Sequence, residues 1–475
     1  MDRKSLSLQK DKPLNKTKKI LFALLLSFCI AGWIACNNLE WRGGGIPKIV
    51  WNKSQPDINK LKKQRSNPIP SAPALDDNSS SNKDNNSSTA WSAFRGIDGS
   101  GIYTEENILT DWPNEGPPLL WKKLIGGGHA SFTVAGQLAF TLEQQDENEV
   151  VIAVSVNDGS VKWSYEYPAK FEEYFGGIGP RTNPLWHEEL LYTMGAMGHL
   201  HCFESSSGKL LWKKNTTEEN GVQPPYWGVS ASPVVHKNML FITPGGNQDN
   251  AIIALDKKTG EKKWSTLNGD QTYGTPALFK INNQLQLVVS LKGKFVGLNP
   301  DTGEVIWTHP WRIFMNNYNI AQPTRLTDDT LLISAGYGTG AESFKLFKNG
   351  DEFKTESLWK SKSLKTKFST PILWKGHLYG LNENRLTCLD AEDGSLKWRG
   401  NKYGYGQIIA ASGHIIILGD AGDLSLVEMN PQKFIEKATF KALDGGRTWS
   451  YPALSKGLLF IKNSREMACY DLRVK

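Results

Sequence analysis

The chain has 475 residues, 39% of them hydrophobic, with 17 tryptophans and a formal net charge of +7. That charge is uneven: residues 1–65 carry 14 Lys/Arg against 4 Asp/Glu, and the remainder is slightly negative. A near-neutral body lacks the basic surface that nucleic acid demands, so no nucleic-acid partner is expected.

Residues 1–19 form a basic segment, expected to stay cytoplasmic. Ile20 to Cys36 is a run of 17 residues without a charge, the length of a membrane anchor or signal segment. Trp33-Ile-Ala-Cys36 resembles a bacterial lipobox, with Cys36 as the lipidated residue, although Trp33 stands where that motif usually has Leu. Three outcomes stay open: a retained anchor, a cleaved signal, or lipidation at Cys36. Each places the rest of the chain outside the cytoplasm, in a bacterial periplasm or at the cell surface, and the first and third tether it to the membrane. Residues 37–90 are rich in Lys, Pro, Asn and Ser, and are expected to be a disordered linker.

From Trp91 onward one phrase recurs: a tight turn with Gly, then Trp four residues later. It reads Gly159…Trp163, Gly208…Trp212, Gly260…Trp264, Gly303…Trp307 and Gly394…Trp398. Short β-branched and aromatic runs bounded by Gly, Asn and Asp precede each copy, and such runs read as strands. The unit is therefore four antiparallel strands with Trp on the fourth, and repetition at this period means a ring of blades. Trp121 and Trp359 extend the series, and Phe440 stands in for Trp in a degenerate copy. Eight anchors predict an all-β, eight-bladed β-propeller over residues 91–475. The last strands have no fourth partner, whereas Pro118-Leu-Leu-Trp121 is a fourth strand with no first three. Pairing them closes the ring and removes open edges. Truncation ahead of that closing strand is expected to spare the ring.

The tryptophans at 121, 163, 212, 264, 307, 359 and 398 read as structural docking residues between blades. Cys202, Cys388 and Cys469 fall on the Ala254 position of the motif and read as small buried residues. No catalytic set is visible, and no spacing for a metal site.

Strand alternation puts the Gly turns on one face and the blade-to-blade connections on the other. The connections do not repeat, and they converge on one mouth of the central channel. They supply Arg181, Trp227, Tyr273, Asn317, Lys367, Tyr405 and Trp449 as candidate ligand-binding residues: stacking surfaces, cations and an amide.

The fullest motif copy, Ala254-x-Asp256-x-x-Thr259-Gly260-x-x-x-Trp264, resembles the tryptophan-docking repeat of the pyrroloquinoline-quinone (PQQ) propeller superfamily. Trp91-Ser-Ala-Phe94-Arg95-Gly96 resembles a leader of exported bacterial PQQ-like repeat proteins. The resemblance implies two functions. One is a non-enzymatic binding or scaffold protein, monomeric and without cofactor, like the outer-membrane β-barrel assembly lipoprotein. Its partner would be an envelope protein or small ligand at the mouth. The alternative is a PQQ-dependent alcohol or sugar dehydrogenase with quinone and calcium in the channel mouth. The adjacent-cysteine disulfide and the CxxCH motif of many such enzymes have no counterpart here.

Overall fold

A computed structural model describes residues 24–29, 32–33, 39–40, 48–49, 55–66, 91–313, 318–350 and 352–474. Cys36 and Asn317 fall outside these residues. The structure divides into two units, residues 1–53 and 54–475, and the second carries the fold. No helix among the described residues is long and apolar enough to cross a membrane.

Among the described residues the sheets form eight four-stranded antiparallel blades, each in simple up-and-down order. Blade 1 comprises Thr133–Ala135, Leu138–Gln145, Asn148–Ser155 and Val161–Pro168. Blades 2 to 7 follow in chain order, and blade 7 begins at the inner strand Gln407–Ala411. Blade 8 combines three C-terminal strands with Leu119–Leu124 as its outer strand, Trp121 opposite Cys469. The ring therefore closes with both ends of the propeller in one blade, as the unpaired strands predict.

The three cysteines occupy one repeated position. Cys202 faces Trp212, Cys388 faces Trp398 and Cys469 faces Trp121, as Ala254 faces Trp264. Each is buried, and burial raises the thiol pKa, to about 12 for Cys202 and Cys388. The same register places Ala438, not Phe440, opposite the residue that precedes the bulge in blade 7. Phe440 nevertheless carries a glycine of the next blade on its ring, Gly116 just ahead of the closing strand, and Trp112 packs on it edge-on.

The indoles reach across blade junctions. Trp121 donates its N–H to Val156 O, Trp163 to Ser205 O, Trp212 to Lys257 O, Trp264 to Pro300 O, Trp359 to Ala391 O and Trp398 to Asn430 O. In each pair the acceptor belongs to the next blade. Trp307 departs from this pattern and bonds Gln286 within its own blade. The turn glycines lie flat on these rings: at Gly159, with φ +66°, a Cβ would sit 2.7 Å from Trp121. Burying one indole removes roughly 150–250 Å² from water.

Residues 91–101 are bonded into the ring, a set of contacts that the sequence expectation did not include. Val134 of blade 1 donates to Trp91 O, and Trp186 of blade 2 donates to Ser92 O. Arg95, 1% exposed, sends Nη1 to Thr370 O at 2.9 Å and Nη2 to Pro371 O at 3.2 Å in blade 6. Blades 2 and 6 lie opposite one another by ring order, so this leader spans the channel. Gly101 has φ +77°, and a Cβ there would meet the Arg95 guanidinium at 2.8 Å. Ile102–Tyr103 then pairs in parallel with the inner strand of blade 7. The leader looked peripheral because its polar residues disguise a core role. Its backbone carbonyls and one guanidinium fill hydrogen-bonding needs that apolar patterning does not reveal.

The segment 37–90, read as a disordered linker, also contains structure. Ile58–Ser66 is an α-helix with Leu61 wholly buried. Composition missed it because the helix is held by tertiary contacts rather than by propensity.

Candidate functional site at the channel mouth

The residues that begin each inner strand form a hydrogen-bonded belt. Ser131 N–H donates to Asn183 Oδ1, Asn183 N–H to Ser232 Oγ and Ser232 N–H to Thr275 Oγ1. Gln322 continues it, donating Nε2 to Pro276 O and its backbone N–H to Thr370 Oγ1. Thr370 N–H reaches the Tyr451 hydroxyl, and Ser131 Oγ donates to Tyr451 O. Gln407 Nε2 joins Phe368 O and Trp449 O at 3.0 Å each. These short polar side chains precede Pro or an apolar residue, so each blade anchors to the next where its first strand starts. The leader meets this belt at Thr370 and Pro371, whose carbonyls accept from Arg95.

Above the belt the predicted residues fall into two arcs. In the first, Trp227 and Tyr273 have ring centroids 5.3 Å apart, and Tyr273 meets Tyr318 at 5.7 Å. In the second, the Lys367 ammonium sits 4.3 Å from Tyr337, 4.9 Å from Tyr405 and 5.5 Å from Phe368. Phe368 packs on Trp449, which packs on His129 at 5.0 Å. Burial pulls the Lys367 pKa down to about 8, against the pull of Glu383. The amine is caged by aromatic faces, whose quadrupoles favour the ammonium.

Arg181 is placed differently from the sequence expectation of a presented cation. Its Nη2 bonds Glu173 at 2.9 Å and Gly177 O at 3.1 Å, and its Nη1 bonds Gly179 O at 2.8 Å. The guanidinium lies 4.7 Å from the Phe171 ring. Arg181 thus stitches its own connection, a small hairpin of Glu172–Glu173 and Gly177–Ile178 that folds over blade 1. Its residues Tyr174 and Phe175 are exposed and approach Tyr226 across the next junction.

Sequence reasoning missed several buried groups here. His129 donates Nε2–H to Gly176 O at 2.8 Å. Burial first, then Arg181, Arg447 and Lys462, holds its pKa well below normal, so the ring is neutral and Nδ1 is a buried lone pair with no protein donor. Glu149 accepts from the Tyr167 hydroxyl at 2.6 Å and from Ala196 N–H at 2.9 Å. Burial raises its pKa to about 7, partly opposed by those two donors and by Arg181. The only signal in the sequence was a single Glu opening the apolar run Val150–Val154.

The donor set does not fit a quinone with calcium. Glu149, Glu173 and Glu143 are each committed to protein partners, Tyr167, Arg181 and Arg65 respectively. Among the described residues no three His, Cys, Asp or Glu side chains are grouped to hold a metal. The facing aromatics at the mouth are tilted by 52° to 54°, not parallel as a flat slot would require.

Repeat, closure and register together define an eight-bladed β-propeller, and the comparisons with known proteins find PQQ-like propellers similar to it. The family model for outer membrane protein assembly factor BamB matches residues 175–400. BamB of Shewanella oneidensis is 19% identical over 314 residues, covering 63% of this chain and 75% of that protein. Quinoprotein alcohol dehydrogenase PedH of Pseudomonas putida is 25% identical over 247 residues, 47% of this chain and 40% of the enzyme. A quinone-dependent 1-butanol dehydrogenase of Thauera butanivorans is 27% identical over 162 residues, 31% of this chain. The chain thus spans a quarter to two fifths of these two dehydrogenases. Among solved structures, BamB of Moraxella catarrhalis superposes with a TM-score of 0.54 at 12% identity, covering 75% of this chain and all of that one. Quinohemoprotein alcohol dehydrogenase of Comamonas testosteroni gives 0.56 at 11% identity, covering 81% of each chain. The chain is an eight-bladed β-propeller similar to these PQQ-like and BamB propellers, and these likenesses carry its fold.

Proposed function

We propose that this chain is an exported, membrane-tethered propeller that works by binding rather than by catalysis, as a scaffold in envelope or outer-membrane protein assembly. One observation carries the reading: the carboxylates of Glu149 and Glu173 are spent on internal bonds, while the exposed aromatics Tyr174, Phe175 and Tyr226 gather on the rim. A rim of exposed aromatic surface suits a protein partner better than a buried small molecule. The reach of the BamB likeness, three quarters of that protein's length, supports the same reading. The competing reading, a PQQ-dependent dehydrogenase, draws on the shorter dehydrogenase matches.

The test places a photo-crosslinking residue at Tyr226 in the full chain in the source cell, with Leu211 on the outer wall as control. A discrete adduct with an envelope protein from position 226 alone is expected. Absence of that adduct, or stoichiometric PQQ binding with calcium and dye-coupled alcohol oxidation by the purified protein, overturns the proposal.

A further inference from the structure

A cavity of about 720 Å³ lies between blades 4 and 5 on the mouth face, within the size range of small-molecule sites. Its walls come from outer strands and from a turn, rather than from the inner strands that line the channel. Pro310 ends the outer strand of blade 4, and Arg312 follows it. Tyr337, Gly338 and Thr339 belong to the turn between the second and third strands of blade 5. Lys360 and Lys362 stand at the end of that blade's outer strand.

Three cations meet one carboxylate in this wall, and their commitments differ. Glu342 is buried, with Lys360 Nζ at 3.2 Å and His309 Nε2 at 3.3 Å. Burial opposes its charge, but His309, Ser357 and Lys360 outweigh burial and hold the carboxyl below its usual range. Lys360 is therefore spent on Glu342. Lys362 Nζ donates to Gly338 O at 2.8 Å and to Thr339 O at 2.7 Å, which pins the turn and uses two of its three donors. Arg312 is exposed and makes no hydrogen bond or ion pair among the described residues. Its guanidinium, a rigid fork of donors, is thus uncommitted at the cavity wall.

The turn is held in an unfavoured backbone. Tyr337 has φ +55°, a left-handed conformation that ring-bearing residues rarely adopt. Its ring lies 4.3 Å from the Lys367 ammonium, so one tyrosine borders both the cavity and the lysine cage. At Gly338 a Cβ would meet nothing within 4 Å, and this side of the turn stands clear.

We propose that this cavity binds a small organic oxyanion, a carboxylate or phosphate group carried on a compact apolar body. Arg312 takes the oxyanion, since a guanidinium fork matches either group, and Lys362 adds a second positive charge with its remaining donor. Pro310, Tyr337 and Ala341 supply the apolar wall for the body. Glu342 is already matched by Lys360, so the wall stays net positive. The volume exceeds what a bare inorganic ion fills, and the ligand therefore includes carbon. This inference does not rest on the envelope reading, and either survives failure of the other.

The experiment titrates the full chain by calorimetry with phthalate, phenyl phosphate and inorganic phosphate, at low ionic strength where screening is least. One-to-one binding of phthalate or phenyl phosphate is expected, tighter than that of inorganic phosphate. Preference for the first identifies a carboxylate ligand, and preference for the second a phosphate ester. Arg312→Gln should weaken that binding at least ~10-fold, the scale of a charge-assisted hydrogen bond. Its thermal midpoint should match that of the unaltered protein, because the side chain bonds nothing in the fold. Lys437→Gln removes an exposed charge from the outer strand of blade 7 and should leave binding unchanged. Absence of one-to-one binding by both organic anions overturns the proposal. So does inorganic phosphate binding as tightly as they do, undiminished binding by Arg312→Gln, or an equal loss in Lys437→Gln.

Discussion

The two faces of the ring are built from the same strands yet obey different rules. On the Gly-turn face five of the eight junctions repeat one solution: a glycine lies on an indole, and the indole N–H reaches a carbonyl of the next blade. On the mouth face every junction differs, and polar side chains carry the contacts. The repeating face has freedom only to preserve geometry, because any Cβ at those glycines strikes a ring. The mouth face is held by backbone-directed bonds from short side chains at the belt, so the residues above the belt vary without opening the ring.

The leader belongs to neither face, and removing its anchor should have the largest effect. Arg95→Ala strands the carbonyls of Thr370, Pro371, Gly99 and Ser100 in the interior. We expect a loss above ~5 kcal/mol in chemical denaturation, since each of the four orphaned acceptors costs about 1–3. Trp121→Ala attacks the Gly-turn face at the closing blade and should cost ~3–5 kcal/mol. The mouth face should respond less: Trp227→Ala, at a half-buried position, should cost under ~1 kcal/mol by the same measurement. Equal losses for Trp121→Ala and Trp227→Ala would erase the distinction between the faces.

Two pH effects sharpen it further. Glu149 has a folded pKa of about 7, above its ordinary 4.5. The folded state therefore holds a proton the unfolded state has lost, and stability falls as pH rises from ~4.5 to 7. Glu149→Gln should flatten that limb, a difference of roughly 3 kcal/mol at most by pH 7. Lys367 and Lys462 titrate near 8, below the ordinary 10.5, so the unfolded chain binds more protons between these values. Stability should rise over that window, and Lys367→Met should remove part of the rise. Thermal midpoints across the pH range read both effects.

Much of the fold was legible because repetition multiplies a weak signal. One Gly-to-Trp spacing says little, whereas its recurrence located the blades, the closing strand and the three cysteines opposite tryptophan. Phe440 lies two residues beyond the tryptophan register because the turn before the fourth strand of blade 7 is two residues longer, which spacing alone does not reveal. At the mouth, strand alternation placed Trp227, Tyr273, Lys367, Tyr405 and Trp449 on one face, but not what each is bonded to. Arg181 bonding inward to Glu173 and Lys367 held within aromatic rings are facts of packing. The bonds of Glu149 and His129 and the Arg65–Glu143 pair were invisible, since the partners lie 18 to 78 residues apart.

By itself the sequence determined the blade number, the direction of each strand and which face repeats, because these follow from local period and from the need to bury an indole every turn of the pattern. Only the tertiary structure decided that the channel is crossed by the leader, that the mouth's charges are largely neutralised internally, and that a helix from the linker is bonded to blade 1. Those outcomes depend on desolvation and on long-range pairing, which have no period along the chain.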